Sequence, residues 1–288
     1  MSGTAPRVCH ADDACQARCP IVAHEQVADR TWRIRIRCPE IATRAIPGQF
    51  AMLRIPGRAD PLLARPLAVY DVTTEPGGGG CVDFIYLVHG KFTTALTDLR
   101  PGDDLVAWGP LGNGFDLPAT DHLVLVAGGI GQTALLALGR ERLGRGRYGA
   151  ADRGVPPARR VTLCWGARHA GMFGAVDDFR RSGCDVELAT LDGSAGIRGT
   201  VVDLLDARFP DATGIVVACC GPEPMMEAVA GWTERRRVPC QVSLEAPMAC
   251  GIGICFTCVA RVRDGSGGWD YRRTCIEGPV FDAPAIVW

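Results

Sequence analysis

Lysine is almost absent from this sequence. Lys91 is its only lysine, so arginine supplies nearly all of the 31 basic side chains, and 32 acidic side chains balance them. The resulting formal net charge of -1 lacks the basic excess that nucleic-acid-binding proteins carry. The charge balance therefore predicts no nucleic-acid partner.

Long apolar runs are also missing. The longest, such as "HLVLVAGGI" at 122–130 and "GIVVACC" at 214–220, are far shorter than the roughly 20 residues that a membrane-spanning helix needs. The first twenty residues, "MSGTAPRVCHADDACQARCP", lack the apolar centre of a secretory signal peptide. We therefore expect no membrane association and a cytoplasmic location.

Cysteine, in contrast, is plentiful: the chain has 14. In cytosolic proteins clustered thiols more often bind metal or do redox chemistry than form disulfides. Four isolated cysteines lie in apolar or strand-like contexts and are interpreted as small hydrophobic core residues, namely Cys38, Cys81, Cys164 and Cys184. Cys9, Cys15 and Cys19 match no metal-binding spacing, and we interpret residues 1–20 as a mobile tail.

The chain divides into three zones after this tail. Residues 21–118 contain about six short strands and no long helix, which predicts a small antiparallel β-barrel; in "TWRIRIR", Trp32, Ile34 and Ile36 alternate with arginines as in a half-buried strand. Residues 119–239 repeat a strand, turn and helix pattern, typical of an α/β domain with a parallel sheet. With a third zone at 240–288, the prediction is an α+β multidomain fold.

The third zone holds four cysteines at a diagnostic spacing. Cys250, Cys255, Cys258 and Cys275 form C-x4-C-x2-C followed by a distant cysteine, the plant-type arrangement of ligands for a [2Fe-2S] cluster. The alternative is structural zinc, which would make the chain a zinc-binding interaction module. Zinc sites usually place two short cysteine pairs on separate turns, so three ligands in one loop favour the iron–sulfur cluster.

The order of these modules resembles the ferredoxin reductase superfamily. "RPLAVY" at 65–70 looks like its flavin-binding motif, and "GPLGNGF" at 109–115 looks like its barrel-closing loop. "SLEAPMACGIGICFTC" together with "YRRTCIEGPVFDA" resembles the electron-transfer subunits of NAD-dependent dihydroorotate dehydrogenases. The resemblance covers residues from about 22 to 283.

This resemblance implies a function. The chain would use FAD and a [2Fe-2S] cluster to pass electrons between NAD(H) and a catalytic subunit that carries FMN and oxidises dihydroorotate in pyrimidine biosynthesis, within a heterotetramer. A hydride carries two electrons and the cluster accepts one at a time, so a flavin between them is required. The alternative within the same superfamily is a subunit of an NAD(P)H:ferredoxin, sulfide or hydrogenase-type oxidoreductase.

The resemblance also implies flavin-binding residues. Arg65 would pair with the flavin pyrophosphate, and Ala68 replaces the serine that faces the flavin in the family. Ile85, Tyr86 and Leu87, in a predicted strand, would run beside the isoalloxazine and ribityl groups. Thr93 would cap a phosphate-binding helix. Phe92 would either stack on the flavin or pack in the core. The complete expected set is Arg65, Pro66, Leu67, Ala68, Ile85, Tyr86, Leu87, Phe92 and Thr93.

Two further segments are expected to bind the nicotinamide nucleotide. "GGIGQTA" follows a buried strand and opens a helix, which is the context that a nucleotide-phosphate turn needs; Gly129 and Gly131 are its candidate residues. In "CCGPEPMM", Cys220, Gly221 and Pro222 would lie where nicotinamide meets flavin, with Met225 holding the cofactor. Cys220 is the candidate catalytic residue, and a core thiol is the alternative.

Overall fold

The computed structural model describes residues 10–75 and 79–288. Its strands are β1 Cys15–Ala28, β2 Thr31–Arg37, β3 Phe50–Arg54, β4 Arg65–Ala68, β5 Asp71–Glu75, β6 Gly79–Leu87, β7 Asp104–Leu111, β8 His122–Gly128, β9 Arg160–Ala167, β10 Asp185–Thr190, β11 Ile197–Arg198, β12 Ile215–Cys220, β13 Cys240–Ser243, β14 Val259–Arg263, β15 Trp269–Arg273 and β16 Val280–Asp282. Its α-helices are α1 Pro39–Ala42, α2 Lys91–Leu96, α3 Leu136–Arg142, α4 Val176–Arg181, α5 Val201–Arg208 and α6 Glu223–Arg236. Short 3-10 segments lie at His10–Asp13, Gly129–Ala134, Ala170–Met172 and Ala283–Ala285.

The first lobe is an antiparallel barrel. Seven strands form a sheet in the order β4-β3-β7-β1-β2-β6-β5, and every neighbouring pair is antiparallel. The two edge strands, β4 and β5, are joined by only two residues, so the sheet must curl until its edges approach each other. Ile34 and Ile36 are fully buried inside it, which confirms the predicted alternation in β2.

The second lobe contains the predicted parallel sheet. Its strand order is β11-β10-β9-β8-β12-β13-β16, with only the last pair antiparallel. The chain moves outward from β8 through β9 and β10 to one edge, then returns to place β12 on the other side of β8. The order therefore reverses between β8 and β12, and in such sheets ligands bind outside the carboxyl ends of the strands at this switch point.

The C-terminal zone is tied to both lobes. After β13 the chain forms an irregular loop, then the β14–β15 hairpin, and returns to the parallel sheet as β16. Asn113, in the loop after β7, links the barrel to β16. Its Nδ2 donates to Val280 O at 2.8 Å, and its Oδ1 accepts from Val280 N at 2.9 Å.

The structure corrects the expectation of a tail through residue 20. Residues 15–20 are the first part of β1, and they pair with β7 from Cys15 opposite Gly109 to Pro20 opposite Asp104. Only Cys19 and Ile21 are buried in this part of β1. The apolar alternation that marks a strand is therefore weak here, and the sequence does not reveal the strand. Cys9 lies outside the described residues. The four isolated cysteines are all buried, which confirms their interpretation as core residues.

No α-helix in the described ranges combines the length and apolar character needed to cross a bilayer. The domain boundaries at 118/119 and 239/240 stay predictions.

Candidate functional site

The cysteine loop between β13 and β14 is folded tightly by its glycines. Gly251 and Gly253 have φ angles of +74° and +81°, values that side-chain-bearing residues rarely adopt. A Cβ atom on Gly251 would lie 2.6 Å from Met52 Cγ, and one on Gly253 would lie 2.7 Å from Ile276 Cδ1. Only glycine therefore lets this loop pass so close to its neighbours.

The four predicted cluster cysteines lie as two neighbouring pairs. Cys250 is close enough to lower the pKa of Cys255, and Cys275 is close enough to lower the pKa of Cys258. The Thr257 hydroxyl lowers the pKa of the Cys255 thiol to about 6, and the Cys275 thiol lowers that of Cys258 to about 6. Two sulfurs are thus stabilised as thiolates, the form that binds iron.

This pairing fits the chemistry of a two-iron cluster. Among the described residues, no three His, Cys, Asp or Glu side chains are grouped closely enough to hold a metal ion, so these four thiols are close to one another only in pairs. A [2Fe-2S] cluster has four cysteine ligands for two irons, so two thiols serve each iron. The donor set, all sulfur and arranged two by two, fits the cluster that the spacing predicts.

Two hydrogen bonds hold the cysteine loop against the rest of the chain. Trp108 on β7 donates its Nε1–H to Cys250 O at 3.0 Å, and Arg273 at the end of β15 donates to Gly253 O at 2.9 Å. Arg273 also lies over the Phe256 ring, 4.8 Å from its centroid. The barrel and the hairpin therefore fix the loop from opposite sides.

The expected flavin residues of β4 form one edge of the barrel. Arg65 is exposed, and its guanidinium donates to the carbonyls of Leu63 and Ala64, at 3.2 and 3.0 Å. Among the described residues no carboxylate pairs with it, so there it remains available to an anion. Pro66, Leu67 and Ala68 pair with β3 and are partly buried.

The side chains of β6 differ in exposure. Tyr86 points into the barrel core, 1% exposed, where its hydroxyl lies 2.8 Å from His24 Nε2. Ile85, on the opposite face, is 2% exposed and packs in the core shared with the second lobe. Both faces of β6 are covered by protein there, so these two residues would meet a flavin through their backbone, whereas the Leu87 side chain is partly exposed. The placement of all three residues beside a flavin stays a prediction.

The helix after β6 also corrects two expectations. Phe92 is 3% exposed and packs in the barrel core, so the packing alternative holds and it does not stack on a cofactor. The helix begins at Lys91 with Gly90 as its N-cap. Thr93 lies inside the first turn and accepts a hydrogen bond from His89 N–H at 2.7 Å, so it is not the cap but closes the preceding turn.

The expected nucleotide residues meet at the switch point between β8 and β12. A Cβ atom on Gly131 would lie 2.1 Å from Cys220 O, and one on Gly128 would lie 2.3 Å from Met225 Sδ. Gly129, with φ of +53°, leads the turn and leaves open space beside its α-carbon. The glycine turn and the segment from Cys220 to Met225 are therefore in contact, and the backbone cradle that glycine creates fits a dinucleotide.

Cys220 is at the end of β12 and is 4% exposed. Burial raises the pKa of its thiol, and the nearby Glu245 carboxylate raises it further. The thiol is therefore protonated at neutral pH and is a poor nucleophile. Its catalytic role stays a prediction, limited to contact with a cofactor or donation of a proton.

Sequence reasoning missed two polar residues near this site. Gln132 is 1% exposed, and within the part of the chain that the structure describes neither its amide oxygen nor its amide nitrogen has a hydrogen-bond partner. A glutamine inside the otherwise apolar "GGIGQTALLA" was the available signal. Glu245 lies 25 positions along the chain from Cys220, and no local pattern connects the two.

Comparison with known proteins identifies relatives along nearly the whole chain. Residues 245–287 match the family described as the iron–sulfur cluster binding domain of dihydroorotate dehydrogenase B. The chain is 34% identical to the dihydroorotate dehydrogenase B (NAD(+)) electron transfer subunit of Desulforamulus reducens, over 93% of this chain and 97% of that protein. The subunit of the same name from Geobacillus thermodenitrificans is 35% identical, over 94% and 98%.

Solved structures show the same fold. An NADH-dependent reduced ferredoxin-NADP oxidoreductase structure, described for flavin-based electron bifurcation, aligns with a TM-score of 0.76 and 28% identity over all of this chain and 92% of that one. The ferredoxin reductase of carbazole 1,9a-dioxygenase aligns with a TM-score of 0.64 and 19% identity over 78% and 67%, which supports the fold alone.

Together these findings confirm the predicted fold class and support an iron–sulfur cluster, FAD and NAD(H) as cofactors of an oxidoreductase that acts with a catalytic partner. The chain belongs to the family of the electron transfer subunit of dihydroorotate dehydrogenase B (NAD(+)).

Proposed function

We propose that this chain transfers electrons between NADH and an FMN-containing subunit that oxidises dihydroorotate, in a cytoplasmic heterotetramer. The observation that carries this proposal is the group of four cysteines, with Cys250, Cys255 and Cys258 in the loop between β13 and β14 and Cys275 just after β15; Cys255 is exposed at the surface. FAD, when bound, accepts the two electrons of a hydride and releases them singly to a one-electron carrier. The many thiols, none of them in a disulfide among the described cysteines, fit a reducing compartment.

Each cofactor has a proposed set of residues. Cys250, Cys255, Cys258 and Cys275 would hold the cluster. Arg65 would bind the flavin pyrophosphate through its planar guanidinium, with Pro66, Leu67, Ala68 and Leu87 along the flavin. The nucleotide would lie at the switch point against Gly129, Gly131, Gly221, Pro222 and Met225, with Cys220 beneath it.

The face around the cysteine loop would contact the catalytic subunit. Ile254 and Phe256 are 74% and 61% exposed, and Trp269 and Tyr271 of the adjacent hairpin are 46% and 55% exposed. Exposed apolar side chains grouped in this way mark interaction surfaces. Docking there would bring the partner close to the cluster.

The test compares the purified chain with the reconstituted complex. We expect about two irons per chain and bound FAD, an NADH-dependent loss of visible absorbance, and reduction of an artificial electron acceptor, but no dihydroorotate oxidation until the partner is added. A Cys255→Ser variant should keep FAD and acceptor reduction by NADH and lose coupling to the partner. Cys164→Ser, at a buried position outside the site, is the matched control and should retain both activities.

Two results would contradict the proposal. One is dihydroorotate oxidation by the isolated chain, which would mean that this chain holds the pyrimidine site. The other is a colourless protein that contains zinc, which would leave the interaction-module interpretation.

A second candidate function has its own support. The alignment over the whole chain with an NADH-dependent reduced ferredoxin-NADP oxidoreductase favours a partner that reacts with ferredoxin. Adding reduced ferredoxin in place of dihydroorotate to the same assay distinguishes the two partners.

A further inference from the structure

Thr274 has a buried hydroxyl without a hydrogen-bond partner among the described residues. The residue is 0% exposed and lies between Arg273 at the end of β15 and Cys275, and no oxygen, nitrogen or sulfur atom there accepts a hydrogen bond from its Oγ1. Its backbone N–H donates to Cys258 O at 2.8 Å. This bond holds Thr274 beside Cys258, on the inner side of the cysteine loop.

Two of the proposed cluster ligands adjoin this residue. Cys275 is the next residue in the chain, and Cys258 accepts the Thr274 N–H at its carbonyl oxygen. An unpartnered hydroxyl in a protein core costs free energy, whereas a valine would fill nearly the same volume without that cost. A negatively charged sulfur is the acceptor that would satisfy the hydroxyl.

Other donors also point at these sulfurs, but from the outside. Ile252 N–H donates to Cys250 Sγ at 3.4 Å, and the Thr257 hydroxyl donates to Cys255 Sγ at 3.2 Å. Both residues are exposed, so water can replace either donor. Water has no access to Thr274, and a hydrogen bond in a low-dielectric interior has a larger electrostatic effect.

We propose that Thr274 sets the reduction potential of the cluster by donating its hydroxyl hydrogen bond to the sulfur of Cys258. This inference rests on the proposed function, because it requires a cluster bound to Cys258. Reduction adds one electron and increases the negative charge on the sulfurs, so a donor stabilises the reduced cluster more than the oxidised one. Removing the donor lowers the midpoint potential and disfavours electron transfer into the cluster.

The experiment measures the midpoint potential of the holoprotein by redox titration followed by electron paramagnetic resonance, with iron quantified in parallel. Thr274→Val and Thr274→Ala should lower the midpoint potential by up to about 59 mV. For a one-electron couple, a shift of this size lowers the ratio of reduced to oxidised cluster tenfold at a fixed applied potential. Thr274→Ser, which keeps the hydroxyl, should restore the parent value. Thr257→Val, the exposed control, should give a smaller shift.

A second readout separates a hydrogen bond from a packing effect. The iron–sulfur stretching bands in resonance Raman spectra should shift on transfer of the parent protein to deuterated water, and this shift should be reduced in Thr274→Val or, if that variant holds little iron, in Thr274→Ala. A loaded Val or Ala variant with the parent's potential and isotope shift would overturn the inference alone. A parent protein that contains no iron would overturn the proposed function together with it.

Discussion

His24 is a half-buried titratable ring of the barrel. It lies on β1, with Nε2 2.8 Å from the Tyr86 hydroxyl and Nδ1 3.0 Å from Leu99 O. The carbonyl can only accept, so Nδ1 carries the proton and Nε2 accepts from the tyrosine. Burial lowers the pKa of this imidazole. The fold therefore holds His24 as the neutral tautomer.

This state predicts a loss of stability in mild acid. In the unfolded chain the ring has a pKa of about 6.5, above its value in the fold, so below that pH the unfolded state binds more protons. The free energy of unfolding then falls as pH falls. In urea unfolding at pH 7 and pH 5, His24→Gln should lose less stability than the parent. Equal losses in the two proteins would contradict the assignment, and between about pH 7.5 and 8.5 their pH dependence should be the same.

The β14–β15 hairpin is the element that extends the apolar face of the cysteine loop. Trp269 and Tyr271 lie on one strand, and their rings contact edge to face with centroids 5.2 Å apart. Arg273, at the end of the same strand, links the hairpin to the loop through Gly253 and Phe256. The hairpin and the loop therefore present one surface.

We expect this surface to carry much of the energy of partner binding. Trp269→Ser and Ile254→Ser should each weaken association with the catalytic subunit by about 10-fold or more, as aromatic and apolar anchors do. FAD content and acceptor reduction by NADH should stay at parent levels. Leu191→Ser is the control, since Leu191 is 54% exposed but lies outside this surface. Titration calorimetry with the partner measures the effect, and unchanged affinity in both variants would place the interface elsewhere.

Each lobe contributes a carboxylate that pairs with side chains of the other lobe. Asp178 of α4 forms ion pairs with Arg33 of the barrel and with Arg181, and accepts from the Tyr70 hydroxyl at 2.9 Å. In the reverse direction, Asp71 of the barrel pairs with Arg140 of α3 and accepts from the Tyr148 hydroxyl at 2.8 Å. These contacts line a groove of about 350 Å³ between the lobes.

Removing one of these charges should destabilise the whole molecule. Asp178→Asn leaves Arg33 with only the Glu25 carboxylate, 3.8 Å away, among the described residues, and removes the ion pair of Arg181. We expect a loss of about 2 kcal/mol in unfolding free energy, below the value for a fully buried pair because part of Arg33 meets solvent. Asp177→Asn is the matched control on the same helix: Asp177 is 68% exposed and pairs with Arg180, so its loss should stay within about 0.5 kcal/mol. Similar losses in both variants, measured by urea unfolding, would show that the lobes are held by apolar packing instead.

Much of the site could be predicted because its signals are local. The cysteine spacing lies mostly within nine residues, and the two glycine segments each follow a buried strand, so neither depends on knowing which distant segments meet. The corrected expectations are the tail through residue 20, part of which is β1, and the capping role of Thr93. Both depend on contacts between distant or adjacent segments that the sequence pattern does not show. The burial of Ile85, Tyr86 and Phe92 likewise depends on which elements cover each face of the strand and the helix.

The sequence by itself determined the candidate chemistry: four thiols at the spacing of iron–sulfur ligands, glycines of the kind that let a backbone approach a nucleotide, and an arginine after the first strands of a barrel. These are properties of residue type and spacing along short segments. Only the tertiary structure decided which side chains can act. It buried Cys220, Tyr86 and Phe92, left Arg65 exposed, and placed Thr274 against Cys258, because burial and contact are set by packing between segments far apart in the chain.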